Sequence, residues 1–204
     1  TPLPPEAFRR VDESPDADFY QVPRFVTHID EAAIQAVTSL YREFFPAGGS
    51  ILDLMSSWIS HLPIDVDYKE VIGLGMNAKE LEANPRLNKW LVQDLNQDTV
   101  LPFEDNYFDG AGICVSIDYL IRPVEVLKEL ARVLKSGAPL VITFSNRCFP
   151  SKAIAIWHHL NEQERVVLVQ QFLLQAGGWQ DIKMLDRTYP WGRDPLYAVV
   201  GIRA

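Results

Sequence analysis

Apolar positions along this chain follow two rhythms: short concentrated runs, and stripes spaced three and four residues apart. The runs lie at 50–54, 71–74, 90–92, 109–117 and 140–144. Runs of that length predict strands buried on both faces. Ile34, Val37, Tyr41, Phe44 and Phe45 make one face of a helix over 30–45, capped by Asp30 and stopped by Pro46, Gly48 and Gly49. Asn77 with Glu80 resembles a capping box opening a short helix that ends before Pro85. Pro123 suits a first helical position, Val126, Leu127, Leu130, Val133 and Leu134 form the stripe behind it, and Gly137 fits a left-handed C-terminal residue. Helical stretches are expected over 151–158 and 162–175, and strands over 180–187 and 196–203. The link between those last strands is short enough for antiparallel pairing. Pro63, Asp65 and Asp67 leave little room for a regular helix after the first strand, so the first crossover is expected to be irregular.

Seven strands with helices between the first five predict an α/β fold. It is a doubly wound, mostly parallel seven-stranded sheet with helices on both faces and an antiparallel edge hairpin. Ligands of such sheets sit off the carboxyl ends of the strands. That directs attention to the run Ser50-Ile-Leu-Asp-Leu-Met-Ser-Ser-Trp-Ile-Ser-His-Leu-Pro63, a strand carrying Asp53 that spills into a loop of hydroxyl side chains. Residues 1–29 form a proline-spaced arm and 30–204 a single domain. Phe19, Tyr20, Val22, Phe25, Val26 and Ile29 give the arm enough apolar surface to pack on the domain from about Asp18.

Composition narrows the function classes. With 48% hydrophobic and 23% charged residues over 204 positions, the chain reads as an ordinary globular protein. A formal charge of −8 without a Lys/Arg stripe argues against nucleic acid. No apolar run approaches a membrane span and no signal peptide opens the chain, so a cytoplasmic setting is expected. Cys114 and Cys148 read as free thiols, and neither they nor His158 and His159 have metal-ligand spacing, so no metal is expected.

Two further runs carry a resemblance. Leu101-Pro-Phe-Glu-Asp-Asn-Tyr-Phe-Asp109 leads into the fourth strand, and Ala131-Arg-Val-Leu-Lys-Ser-Gly137 followed by Pro139-Leu-Val-Ile-Thr143 leads into the fifth. With Gln93-Asp94-Leu95 after the third, they make the chain from Ser50 to Ala204 resemble the class I S-adenosylmethionine-dependent methyltransferases, type 11 group. The resemblance implies a Rossmann-like methyltransferase fold, S-adenosylmethionine as cofactor, and methyl transfer to a small molecule. It also implies a cofactor site made of Asp53, Leu54, Met55, Ser56, Ser57, Trp58, Gly75, Met76, Asn77, Asp94, Leu95 and Ser116. The family's first motif has the form D-x-G-x-G-x-G, whereas Met55, Ser57 and Ile59 stand at its glycine positions here. Its acid at the end of strand 2, which grips the ribose hydroxyls, falls on Gly75. Ser56, Ser57 and Ser60 could serve the cofactor's carboxylate, or merely satisfy a turn. Trp58 could stack on a ligand or plug the pocket.

Acceptor chemistry would lie over strands 4 and 5. His28, Asp118 and Tyr20 are the candidate catalytic groups, with His61 a further possible base. Arg24, Tyr119, Asn146 and Arg147 are the candidate substrate contacts. Each has a plainer role open to it: His28 a local hydrogen bond, Tyr20 a packing anchor, Asp118 a turn cap, Arg147 a surface ion pair. Two other functions stay in view. One is a methyltransferase-like protein that only binds a ligand or partner protein. The other, a nicotinamide-dependent oxidoreductase, is disfavoured because no G-x-G-x-x-G occurs at a strand-to-helix turn. The oligomeric state is not legible.

Overall fold

The computed structural model describes residues 2–204. Its strands are β1 (Ser50–Ser56), β2 (Glu70–Gly75), β3 (Lys89–Val92), β4 (Gly110–Cys114), β5 (Pro139–Phe144), β6 (Trp179–Asp186) and β7 (Tyr197–Arg203). They form one seven-stranded sheet in the order β3-β2-β1-β4-β5-β7-β6. The first five are parallel, and β7 runs antiparallel to both β5 and β6. The helices are α1 (Asp16–Phe19), α2 (Glu31–Phe44), α3 (Ala78–Ala83), α4 (Pro123–Val133), α5 (Ala155–His158) and α6 (Glu162–Ala176). Among the described residues no helix is long and apolar enough to cross a membrane.

Alternation along each strand divides the core in two. Leu52, Leu54, Ala111, Ile113, Leu140 and Ile142 pack on one face with Leu127 and Leu130 of α4 and Val169, Phe172 and Leu173 of α6. Ile51, Val71, Val141 and Val200 pack on the other with Val37, Leu40 and Tyr41 of α2. On that face a Cβ at Gly112 would come 2.8 Å from the Tyr41 hydroxyl, and one at Gly110 2.8 Å from the Phe45 ring. Those glycines let Tyr41 and Phe45, stacked 4.7 Å apart, lie directly on the sheet.

The two best-matching motifs prove to be halves of one structural clamp. Arg132 donates to the carbonyls of Leu101 and Phe103 and to the Asp105 and Glu129 carboxylates, all at 2.8 Å. Asp109 accepts the Ser50 N–H at 2.8 Å and the Lys135 ammonium at 2.9 Å, fixing the starts of β1 and β4 together. Asp30 caps α2 by accepting the Ala33 N–H at 3.0 Å. The box at α3 is only half made: Asn77 accepts the Glu80 N–H, while the Glu80 carboxylate accepts the N–H of Arg24 on the arm at 3.2 Å.

Several expectations are revised. The fourth strand ends at Cys114, not 117, because Val115 turns to φ 47 and Ile117–Tyr119 form a 3-10 turn. Of the stretch 151–158 only α5 is helical. The first crossover contains no helix; Arg86 holds it by donating to the carbonyls of Pro63 and Val66. The arm was expected to dock from about Asp18 onward, yet its first half is bound too. Ala155 donates to the Arg9 carbonyl at 2.7 Å, and Asp12 to that of Ser151 at 2.9 Å. Conversely Val22, Phe25 and Val26 are 70%, 52% and 54% exposed. The arm is held there by polar contacts rather than by those apolar side chains.

Its fastening is a buried carboxylate. Asp16, 5% exposed, accepts Arg10 Nη1 on both oxygens (2.8 and 2.9 Å), Lys152 Nζ at 2.9 Å and Asn96 Nδ2 at 2.9 Å. Lys152, wholly buried, also donates to the carbonyls of Asp12 (3.1 Å) and Ser14 (2.8 Å). Burial alone would raise the Asp16 pKa, but the bonds from Arg10, Lys152 and Asn96 outweigh it and hold the group below its ordinary value. Such a carboxylate contributes stability above the unfolded-state pKa, and that contribution is lost as pH falls through the lower folded value. Asp16→Asn strands two buried cations and is expected to cost about 3–5 kcal/mol in urea unfolding at pH 7. The deficit should shrink towards pH 3; a variant as stable as the wild type at pH 7 would refute the assignment.

Candidate functional site

The sheet order reverses between β1 and β4, and there a cavity of about 370 Å³ opens at the carboxyl ends of the strands. Its floor is the end of β1 with the loop from Met55 to His61, the turn Gly75–Asn77 after β2, and the stretch from Gln93 to Asn96 after β3. Val115, Ser116, Tyr119, Cys148 and Phe149 form one wall. The arm, with Tyr20, Arg24 and His28, lies across the top.

Asp53 anchors the floor. Its Oδ2 accepts the hydroxyls of Ser56 and Ser60, each at 2.5 Å, and Asn84 Nδ2 donates in turn to Ser60 Oγ at 2.8 Å and the Ser57 carbonyl at 3.0 Å. Burial raises the Asp53 pKa to about 6 against the pull of both hydroxyls. The serines therefore serve the loop's own acid.

Met55, at the family's first glycine position, has φ 57. Left-handed backbone is a glycine habit, and here a residue with a side chain adopts it. Val115 at φ 47 and His28 at φ 65 also line the cavity. Residues held there cost about 1–3 kcal/mol each and gather at functional sites.

Gly75 cannot regain the family's acid by substitution, since a Cβ there would run into the Ser56 carbonyl oxygen. A different carboxylate stands nearby. Glu80 is buried, lines the cavity, and has its pKa raised by burial against the Arg24 N–H and charge. Asp94 likewise lines the cavity with its pKa raised by burial, and accepts the Asn96 N–H at 2.9 Å.

Most of the residues singled out from the sequence come together here, namely His28, Tyr20, Asp53, Met55, Ser56, Ser57, Gly75, Met76, Asn77, Asp94, Leu95, Ser116, Arg24, Tyr119 and Arg147. Four stand apart. Leu54 is fully buried in the core, as its place in β1 dictates. Trp58 donates its indole N–H to the Val26 carbonyl at 2.8 Å and meets Phe25 edge-on at 6.3 Å, so it clasps the arm and neither stacks in nor plugs the cavity. Asn146 is exposed outside the cavity. Asp118 is buried within the 3-10 turn, off the cavity wall, with Oδ2 unpartnered and a pKa raised to about 7 by burial.

The remaining titratable groups differ in readiness. Burial pushes both Tyr20 and Tyr119 well above the ordinary phenol value, which makes them donors rather than bases. Tyr119 Oη also accepts the Phe149 N–H at 2.8 Å. Burial drives His61 down to about 4 against the pull of Glu31, and its Nδ1 is buried without a partner. His28, edge-on to Phe149 at 5.4 Å, is lowered by partial burial and by Arg24. Arg147 pairs with Asp194 at 2.9 Å. Glu80, Phe149 and Asn96 were not singled out as site residues. Glu80 carried only a capping signature, and nothing local marks Phe149.

Sheet order, antiparallel edge and cavity at the reversal together define a Rossmann-like methyltransferase fold. Residues 49–142, somewhat less than half of the chain, match the family model described as a methyltransferase domain, so this segment is similar to the class I, type 11-like methyltransferases. The cofactor implied by that class is S-adenosylmethionine. Among solved structures, a candidate S-adenosylmethionine-dependent methyltransferase of Methanococcus maripaludis is similar at TM-score 0.63 and 16% identity, covering 93% of this chain and 90% of its own. Phosphoethanolamine N-methyltransferase 2 of Haemonchus contortus, in complex with S-adenosyl-L-methionine, matches at 0.59 and 13% identity over 83% of this chain and 52% of its own. The [4+2]-cyclase SpnF matches at 0.61 and 14%, over 89% and 88%. At those identities the likeness is one of fold. No curated protein matches the chain.

The Asp53 pKa gives a sign-definite expectation. A carboxyl raised from 3.8 to about 6 in the folded state contributes stability below pH 4 that is lost as pH rises through 6. Asp53→Asn, whose amide oxygen still accepts the serine hydroxyls, should gain on the wild type by about 3 kcal/mol between pH 4 and pH 7.5. Paired thermal melts across that range test it; a pH-independent difference would count against a desolvated Asp53.

Proposed function

We propose that the chain transfers a methyl group from S-adenosylmethionine to a small-molecule acceptor. The observation that carries this is the left-handed backbone of Met55, two residues after Asp53 and at the motif's first glycine position, a conformation that glycine adopts readily and that lets the loop turn there although it carries a side chain. Three carboxylates fit the cofactor's cationic and hydroxylic groups: Asp53 beside β1, Glu80 beyond β2 and Asp94 beyond β3. Asp53 suits the ammonium, Glu80 the ribose in place of the missing acid, and Asp94 the adenine amino group. The cofactor supplies an electrophilic methyl on a sulfonium. The chain's own work is to hold an acceptor in line and exclude water, with the arm as roof. Tyr20 and Tyr119, kept protonated, would orient the acceptor. His28 at the rim and the buried, neutral His61 are the groups placed to take a proton where the acceptor carries one. Cys114 and Cys148 are both free, which supports a reducing, cytoplasmic setting.

One observation favours a second reading, a ligand-binding protein without transfer. Gly75 is sealed against the end of β1. Loss of its charge-assisted bonds costs roughly 1.5–3 kcal/mol each wherever Glu80 does not replace them.

Calorimetric titration with S-adenosylhomocysteine separates the two. Binding near micromolar, weakened about ten-fold or more in both Asp53→Ala and Glu80→Gln, is expected for methyl transfer. Absence of binding at millimolar ligand would leave the second reading.

A further inference from the structure

The cavity holds one cation without an anion. Arg24 is stacked among three aromatic rings, its guanidinium carbon 4.6 Å from the Phe19 centroid, 5.0 Å from Phe149 and 5.7 Å from Tyr20. Nη2 donates to the Phe19 carbonyl at 3.1 Å, which sets the plane of the fork. Nη1 is buried and has no partner. Glu80 takes the backbone N–H of Arg24, not its guanidinium, and among the described residues Arg24 makes no ion pair. The nearby cations are paired. Arg10 and Lys152 share Asp16, and Arg147 has Asp194. A buried guanidinium N–H without a partner is costly unless something else completes it. In a chain of charge −8 whose cavity already holds Asp53, Glu80 and Asp94, an unspent cation marks a local preference opposite to the rest.

The surroundings specify more than charge. Tyr20, Tyr119, Phe149 and His28 line the same part of the cavity, with Tyr119 and Phe149 tilted 31° at 5.9 Å and His28 edge-on to Phe149. Ser116 Oγ, also lining the cavity, is a second buried polar atom without a partner. Flat aromatic walls favour a planar ring, a free guanidinium N–H a carboxylate oxygen, and a free hydroxyl a further polar substituent.

We infer that Arg24 is the anion-recognition residue of the acceptor pocket, and that the acceptor is an aromatic carboxylate. This deepens the methyl-transfer reading, but the binding it describes does not require transfer. The carboxylate would meet Nη1 while the ring lies against Phe149 and Tyr119. Arg24 then selects the acceptor, and the arm that carries it determines specificity.

The test is calorimetric titration of the full chain with benzoate, 4-hydroxybenzoate and cinnamate, each beside its primary amide, with and without saturating S-adenosylhomocysteine. At least one carboxylate is expected to bind about ten-fold or more tightly than its amide. Arg24→Gln should abolish that preference while leaving S-adenosylhomocysteine affinity within about two-fold of wild type, and Arg24→Lys should keep part of it. Circular dichroism confirms that each variant folds; if the glutamine variant does not, the lysine variant decides by whether the preference falls. No preference in any pair overturns the inference. So does an Arg24 variant that loses S-adenosylhomocysteine yet keeps the preference, for Arg24 would then hold the cofactor's own carboxylate. Carboxylate preference in a wild type that binds no S-adenosylhomocysteine would uphold the anion site and sink methyl transfer instead.

Discussion

The carboxylate of Asp16 ties three distant parts of the chain to one point. Arg10 belongs to the arm, Asn96 to the segment after β3, and Lys152 to the segment after β5. Hydrophobic burial does only part of this job here: Leu3, Phe8 and Ile29 pack on the core, but Val22, Phe25 and Val26 remain exposed. A buried ion cluster of this kind adds little net stability, since desolvation offsets most of its attraction. What it contributes is register: only one placement of the arm satisfies both cations and the amide at once. Tyr20, Arg24 and His28 therefore stand over the cavity at fixed positions, and the roof of the site is part of the fold.

The same economy holds below. Asp53 is desolvated yet bound by two hydroxyls, and Met55 and Val115 keep left-handed backbone that their side chains resist. Strained backbone and buried carboxylates thus meet where the sheet reverses, while the clamp between Arg132 and the loop after Leu101 is made of ordinary hydrogen bonds. The two longest motifs behind the resemblance lie in that clamp, the third, Gln93-Asp94-Leu95, lines the cavity, and the departures lie in the site. Glu80 does not close its own capping box; it accepts the Arg24 N–H of the arm and lines the cavity, five residues beyond Gly75.

Much of this was legible in the chain by itself. Apolar-rich runs of three to nine residues and stripes of period 3.6 sufficed for the sheet and its helices, because burial on both faces or on one leaves a local, periodic mark. Asp30 and Asn77 declared helix starts through purely local hydrogen bonding, whereas Gly137, expected as the left-handed end of α4, instead turns at φ 83 beyond a helix that stops at Val133 with Leu134 extended. Asp53, Met55, Gly75 and Asp94 could be placed at the strand ends by spacing. What stayed hidden was set by contacts between residues far apart in sequence. Only the folded chain decided that Trp58 grips Val26, that Asp118 turns inward while Ser116 and Tyr119 face the cavity, and that Phe149 walls it. Only the folded chain could leave Arg24 without an anion. The reason is physical: periodicity records which face of an element avoids water, whereas pairing, strain and an unpartnered donor depend on what the tertiary fold brings to the other side.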